Sequence, residues 1–276
     1  MLLGKYFPEK LFISNKKLNV NEVKTKMSTN ASKKRSVACL KGYMDLVSEG
    51  LLKSDQKQTD VLASFDRLLE IIELELEQQK RFRWFRNKFY SEKNETGSKG
   101  IYLWGGVGTG KSMIMDIFFE QIKEERKLRI HFHTFMQEMH EKINLERKKG
   151  NTDPLASVAK KFAEKALVLC LDEFQITDIA DAMIVGRLFS RLFDEGVFVV
   201  TTSNRKPDDL YKNGLNRELF VPFIKLFKER LEILRLDSFV DYRRKKLLGY
   251  SVFLFPINEN KKREFEEIWD RLVSGK

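Results

Sequence analysis

A three-layer α/β sandwich around a mostly parallel, five-stranded sheet is the architecture expected of this 276-residue chain. Five short apolar runs (Ile101–Trp104, Arg129–His133, Leu167–Leu171, Val197–Thr202 and Leu231–Leu236) alternate with helical stretches. The helices fall at about 111–126, 134–148, 155–164, 178–195 and 217–229. Strands alternating with helices need crossover connections, so they pair in parallel and are covered on both faces. Leu167–Leu171 is apolar throughout, which suits a strand buried on both sides.

Composition agrees with a packed domain. A hydrophobic fraction of 42% with 22 Phe excludes a disordered chain, and 15 Gly with 5 Pro exclude a collagen-like or linker-like one. No apolar run approaches the ~20 residues of a membrane-spanning helix, so no transmembrane segment is expected, and peripheral membrane association stays open. Cys39 and Cys170 make no disulfide framework, which points to a reducing compartment. Of the net charge of +11, residues 1–36 carry +7, nine Lys/Arg against Glu9 and Glu22. They read as a basic, disordered tail or a presequence, and the rest of the chain is close to balanced.

Residues 37–96 are expected to form a helical N-terminal segment. Phe65, Leu68, Leu69, Ile72 and Leu76 line one face of a helix, with Asp66, Glu70, Glu73 and Glu77 on another. The run Lys80–Tyr90 interleaves five cations with five aromatics. It reads either as a helix with aromatics packed inward and cationic stems outward, or as a nucleic-acid contact. The sandwich itself spans 97–240, and 241–276 form a short C-terminal extension. This opens with Arg243-Arg244-Lys245-Lys246 and ends in a helix striped by Phe265, Ile268, Trp269 and Leu272.

The chemistry concentrates at the strand ends. Gly105-Gly106-Val107-Gly108-Thr109-Gly110-Lys111-Ser112 matches GxxxxGK[ST] between a strand and a helix, the phosphate-binding loop of a P-loop NTPase. Glycines let the backbone wrap phosphates, and a helix N-terminus adds its positive dipole end. Lys111 is placed to reach the β- and γ-phosphates of ATP, and Ser112 to offer its hydroxyl to Mg²⁺. Asp172, ending the third strand, is the second residue expected in the Mg²⁺ shell, and Glu173 the one that activates water. Asn204 ends the fourth strand, where it either projects toward the γ-phosphate or opens a turn before Pro207. Arg217, 13 residues further on, reads equally as a transition-state arginine supplied in trans or a solvated surface residue. His131 and His133 would share one strand face, but without a third ligand a structural role is expected, not a metal site. Cys170 reads as a small buried hydrophobe.

These residues resemble the AAA+ ATPases of the ZapE and mitochondrial Afg (LACE-type) family. The resemblance is carried by Tyr102–Ser112, His131-Phe132-His133, Leu171–Met183, Thr202-Ser203-Asn204-Arg205, Asp209–Leu215, Phe220–Ile224, Leu236-Asp237-Ser238 and Asp241-Tyr242-Arg243. It implies that Asn204 is the polar sensor and Arg217 the leading arginine-finger candidate, in a homo-oligomeric ring with ATP between subunits. It also implies protein clients, in mitochondrial quality control or bacterial cell division, and hence a mitochondrial location, or a cytoplasmic one in a bacterium. Gln58, with Asp55 nearby, falls where the family has its N-terminal helices. It reads as a surface residue or as a neighbour of the nucleotide base. Family members continue well past Tyr242-Arg243, so a nucleotide-sensing arginine from a C-terminal lid is not expected here. The leading expectation is an Mg-dependent ATPase that remodels protein partners. The alternatives are a nucleic-acid-associated ATPase of helicase-loader type and an ATP-binding module without hydrolysis.

Overall fold

In the computed structural model, which describes residues 37–84, 100–237 and 259–273, five parallel strands make one sheet. They are β1 (Gly100–Trp104), β2 (Lys127–His131), β3 (Val168–Asp172), β4 (Phe198–Ser203) and β5 (Glu232–Arg235), arranged β2-β3-β4-β1-β5. After β1 the chain jumps to the β2 edge and works back through β3 and β4, then passes over to β5. The carboxyl ends of β3, β4 and β1 therefore lie side by side where connections leave in opposite directions, the place where open α/β sheets bind ligands.

Strand alternation divides the core into two layers. Ile101, Leu103, Val168, Cys170, Phe198 and Val200 pack with α1 (Ala38–Ser48), α2 (Gln56–Trp84) and α3 (Lys111–Gln121). Tyr102, Leu169, Leu171 and Val199 pack with α4 (Phe132–Lys148), α5 (Pro154–Lys165), α6 (Ile179–Asp194) and α7 (Val221–Arg230). The second layer is rich in rings. Phe174 lies 4.4 Å from Phe132 and 5.1 Å from Phe227, centroid to centroid. The expected stripe on α2 is buried from Phe65 to Ile72, and Leu76 packs at its edge.

Several elements depart from the sequence expectation, each for a local reason. Asp66 is buried, not on the solvated acidic face, because its carboxylate accepts from Cys39 N (2.8 Å) and Leu40 N (3.3 Å). It thereby caps α1, whose own N-cap residue Val37 makes no side-chain bond. Helix α3 stops at Gln121 because buried Ile122 turns extended (ψ 117°). Strand β2 ends at His131, and α4 begins at Phe132 without a side-chain cap. The stretch 217–229 splits into a single 3₁₀ turn (Arg217–Leu219) and α7, with Pro222 in the first turn of α7. Beyond the sandwich lies α8 (Glu259–Val273), on which Ile268 is buried while Phe265 and Trp269 are exposed. The tail 1–36, the run from Phe85 to Tyr90 and the cluster Arg243–Lys246 lie outside the described residues, as do the side chains of Lys80–Trp84.

The α4–α5 corner is closed by buried Glu146, whose carboxylate accepts from Lys161 (2.8 Å), Lys149 (3.0 Å), Asn151 (3.1 Å) and Ser157 (3.2 Å). The Lys161 bond, followed by those from Asn151 and Lys149, lowers its pKa to about 2. A depressed carboxyl stabilises the fold above its unfolded value, and that contribution disappears as pH falls through the folded one. Glu146→Gln is therefore expected to lower the thermal midpoint at pH 7. The gap to the parent should narrow below about 4.5 and close near about 2, read by circular dichroism across pH.

Candidate functional site

The loop after β1 is tied into the sheet before it turns. Gly105 N donates to Ser203 O of β4 (3.1 Å), and a Cβ at Gly105 would stand 2.0 Å from Leu236 O, so only glycine fits. Gly110, at φ 93°, is the N-cap of α3, and no side chain caps that helix. The first amides of α3 thus open toward the loop, a partial positive charge with no acidic residue in the helix's own first turn. Lys111 is 8% exposed and lies inside the loop, its Nζ donating to Gly105 O (3.0 Å) and Gly106 O (2.6 Å). Thr109 Oγ1 donates to Gly106 O (3.1 Å), drawing the two sides of the loop together. A glycine cradle, an uncapped helix start and an inward lysine fit a phosphate chain.

Two strands away, β3 delivers Asp172 to the same edge. Asp172 Oδ2 accepts from Arg129 Nε (2.7 Å) and Oδ1 accepts from Thr202 Oγ1 (3.3 Å). Arg129, on β2, also pairs through Nη1 with Asp116 of α3 and donates from Nη2 to Ser112 O (3.5 Å). One guanidinium therefore spans Asp172 and the turn of α3 that carries Ser112. Burial works to lower the Arg129 pKa, but the bonds to Asp172 and Asp116 outweigh it and the net shift is upward. Arg129 stays a cation.

Glu173 leaves the strand in the left-handed conformation (φ 55°), a rare state for a residue with a Cβ. Its N–H donates to Thr202 Oγ1 (3.2 Å), and Phe174 N donates to Thr202 O (2.7 Å). That turn sends the Phe174 ring into the core, fully buried, and leaves the Glu173 carboxylate exposed at the sheet edge. Such strain costs about 1–3 kcal/mol and persists where the surroundings over-determine it. Phe174 burial supplies that constraint.

Asn204 follows β4 directly and is exposed beside the Ser203–Gly105 junction. The fold thus brings the phosphate loop, Asp172, Glu173 and Asn204 to one edge of the sheet. Arg217 sits apart, on the connection between β4 and α7. Its Nη2 donates to Asp208 O (2.6 Å) and its Nε is buried without a partner, so the side chain is tucked against its own chain instead of projecting outward. His131 and His133 do not share a strand face, since β2 ends at His131 and His133 lies on α4. Among the described residues no group of three or more His, Cys, Asp or Glu could hold a metal ion. Cys170 is buried in β3. Gln58 is not a surface residue: it is 3% exposed and donates to Thr109 O of the loop (3.0 Å).

Arg129 and Thr202 join the site without a motif of their own in the sequence. Both lie on strand positions facing the α1–α3 layer, and a charged or hydroxyl side chain on a buried face was the available signal.

A parallel sheet that carries such a loop after its first strand, and a carboxylate at the end of a nearby one, belongs to the P-loop NTPases. Within that class the chain belongs to the AFG1-like ATPase family, whose family model matches residues 37–276. It is 41% identical over 181 residues to the cell division protein ZapE of Escherichia coli (strain K12), covering 66% of this chain and 48% of that one. It is 37% identical over 254 residues to an uncharacterized protein of Schizosaccharomyces pombe (82% and 56% covered). Over 158 residues it is 46% identical to lactation elevated protein 1 homolog B of Danio rerio (54% and 31% covered). The chain spans about half or less of the length of these relatives. Among the described residues no helix is long and apolar enough to cross a membrane.

Proposed function

We propose that this chain is an Mg-dependent ATPase that drives the remodelling or degradation of protein partners. The observation that carries the reading is the common edge shared by the phosphate loop and the Asp172–Glu173 turn. The backbone from Gly105 to Gly110 would wrap the phosphates, and Lys111 would exchange its bonds to Gly105 O and Gly106 O for phosphate oxygens. The Ser112 hydroxyl and the Asp172 carboxylate would hold Mg²⁺, which supplies charge neutralisation across the phosphates. Exposed Glu173 would take the proton of the attacking water, and Asn204 would orient that water against the γ-phosphoryl group. Arg217 would act on a neighbouring subunit of a homo-oligomeric ring after letting go of Asp208 O. Protein clients, and a mitochondrial or a bacterial cytoplasmic setting, are part of this proposal; the relatives include a bacterial cell division protein and eukaryotic proteins.

The first test is binding. A fluorescent ATP analogue titrated onto the parent chain should saturate, and Lys111→Ala should bind it roughly tenfold more weakly or worse, through loss of a charged hydrogen-bond donor. Equal affinities would overturn the reading.

A further inference from the structure

The N-terminal helices reach the phosphate loop through one buried amide. Gln58, in the first turn of α2, donates from Nε2 to Thr109 O at 3.0 Å, and its Oε1 accepts from Tyr43 Oη of α1 at 2.9 Å. Tyr43 is fully buried, and its hydroxyl in turn accepts from Asp55 N at 2.9 Å. Thr109 O can only accept, so the NH₂ group must face the loop. The Tyr43 hydroxyl, whose single proton has Gln58 Oε1 and Lys53 O (3.2 Å) as acceptors, supports that orientation from the other end. Asp55 completes the arrangement by accepting from Lys57 N at 2.9 Å through Oδ1, which holds the start of α2.

The consequence lies in the Thr109–Gly110 peptide. In a planar trans peptide the carbonyl and the following N–H point to opposite sides. A Thr109 carbonyl drawn onto Gln58 therefore turns Gly110 N–H away from α2 and into the concave side of the loop. Gly110, at φ 93°, has no Cβ to resist either orientation, so the glycine leaves the choice open and an outside partner must make it. The fit is close as well, since a Cβ at Gly110 would stand 2.7 Å from Gln58 Nε2.

We infer that Gln58 is a positioning residue of the phosphate-binding loop, setting the Thr109–Gly110 peptide so that Gly110 N–H faces the bound phosphates. Tyr43 orients it, which makes the α1–α2 pair part of the nucleotide site. Both polar ends of the Gln58 side chain are engaged within the chain, so it does not read the base. The inference rests on the proposal that the loop binds ATP.

Calorimetric titration with ADP, GDP and inorganic pyrophosphate separates the cases. Gln58→Leu removes the donor, and Gln58→Glu keeps both the volume and the bond from Tyr43. Both should bind ADP and pyrophosphate roughly tenfold more weakly, since a buried carbonyl is left unsatisfied and the peptide is free to turn. The ratio of ADP to GDP affinity should not change, and Tyr43→Phe should show a smaller loss in the same direction. Thermal melts show whether each variant is folded, and one folded Gln58 variant suffices. A folded variant with parental ADP affinity would overturn the inference, as would a changed ADP-to-GDP ratio, which would make Gln58 a base reader. A parent chain that binds neither ADP nor pyrophosphate would instead overturn the ATP reading beneath it.

Discussion

Glu173→Gln is expected to bind ATP about as well as the parent chain and to turn it over about 10²–10⁴-fold more slowly, the range a lost general base commands. The substitution is narrow by design. Glutamine has the same size, the side chain is exposed, and the backbone bond that holds the turn, Glu173 N to Thr202 Oγ1, does not involve the carboxylate. The left-handed backbone at position 173 is imposed by the burial of Phe174 and is retained in the variant. What disappears is the capacity to accept a proton. Phosphate release and equilibrium nucleotide binding, measured on one preparation, separate this from a binding defect. Equal turnover in the two proteins would remove Glu173 from the chemistry, and a parent that binds ATP without releasing phosphate would leave the loop as a nucleotide-binding device alone.

The sheet and the phosphate loop were legible because both are local. Apolar runs such as Leu167–Leu171 announce strands without reference to the rest of the chain, and GxxxxGK[ST] carries its own geometry. What sequence could not show was the identity of the partner packed against a given face. Helical periodicity placed Asp66 with Glu70 and Glu73 on an acidic face, yet the uncapped N-terminus of α1 lies there and takes its carboxylate. For the same reason neither reading of Gln58, on the surface or beside the nucleotide base, anticipates its place, since its partners Thr109 and Tyr43 lie 51 and 15 residues away. His133 was assigned to a strand because α4 begins with no side-chain cap, which leaves no start signal between β2 and the helix. Arg129 drew no notice in a run that includes two histidines. Its partners Asp172 and Asp116 are 43 and 13 residues distant, joined to it only by the parallel pairing of β2 with β3 and the packing of α3.

Arg129→Met is expected to lower the stability of the fold by about 3 kcal/mol, the scale on which removal of one partner strands a buried charge. Burial sets the size of the loss. The Asp172 side chain is 10% exposed and that of Arg129 22%, so water cannot replace the guanidinium once it is gone. Asp172 would then lose its charged partner, whereas Asp116, whose side chain is 54% exposed, stays solvated. Arg129→Lys should recover only part of the loss. An ammonium restores the charge but cannot present Nε to Asp172, Nη1 to Asp116 and Nη2 to Ser112 O from one planar group. Adding Asp172→Asn to Arg129→Met should recover more than the lysine does, because the stranded charge itself is removed. That non-additivity marks the pair as coupled. Urea unfolding of the parent, both Arg129 variants, Asp172→Asn alone and the double variant, at equal m-values, provides the measurement. If Arg129→Met unfolds at the parental midpoint, the guanidinium is a bystander, and the Asp172 carboxylate is held by Thr202 alone.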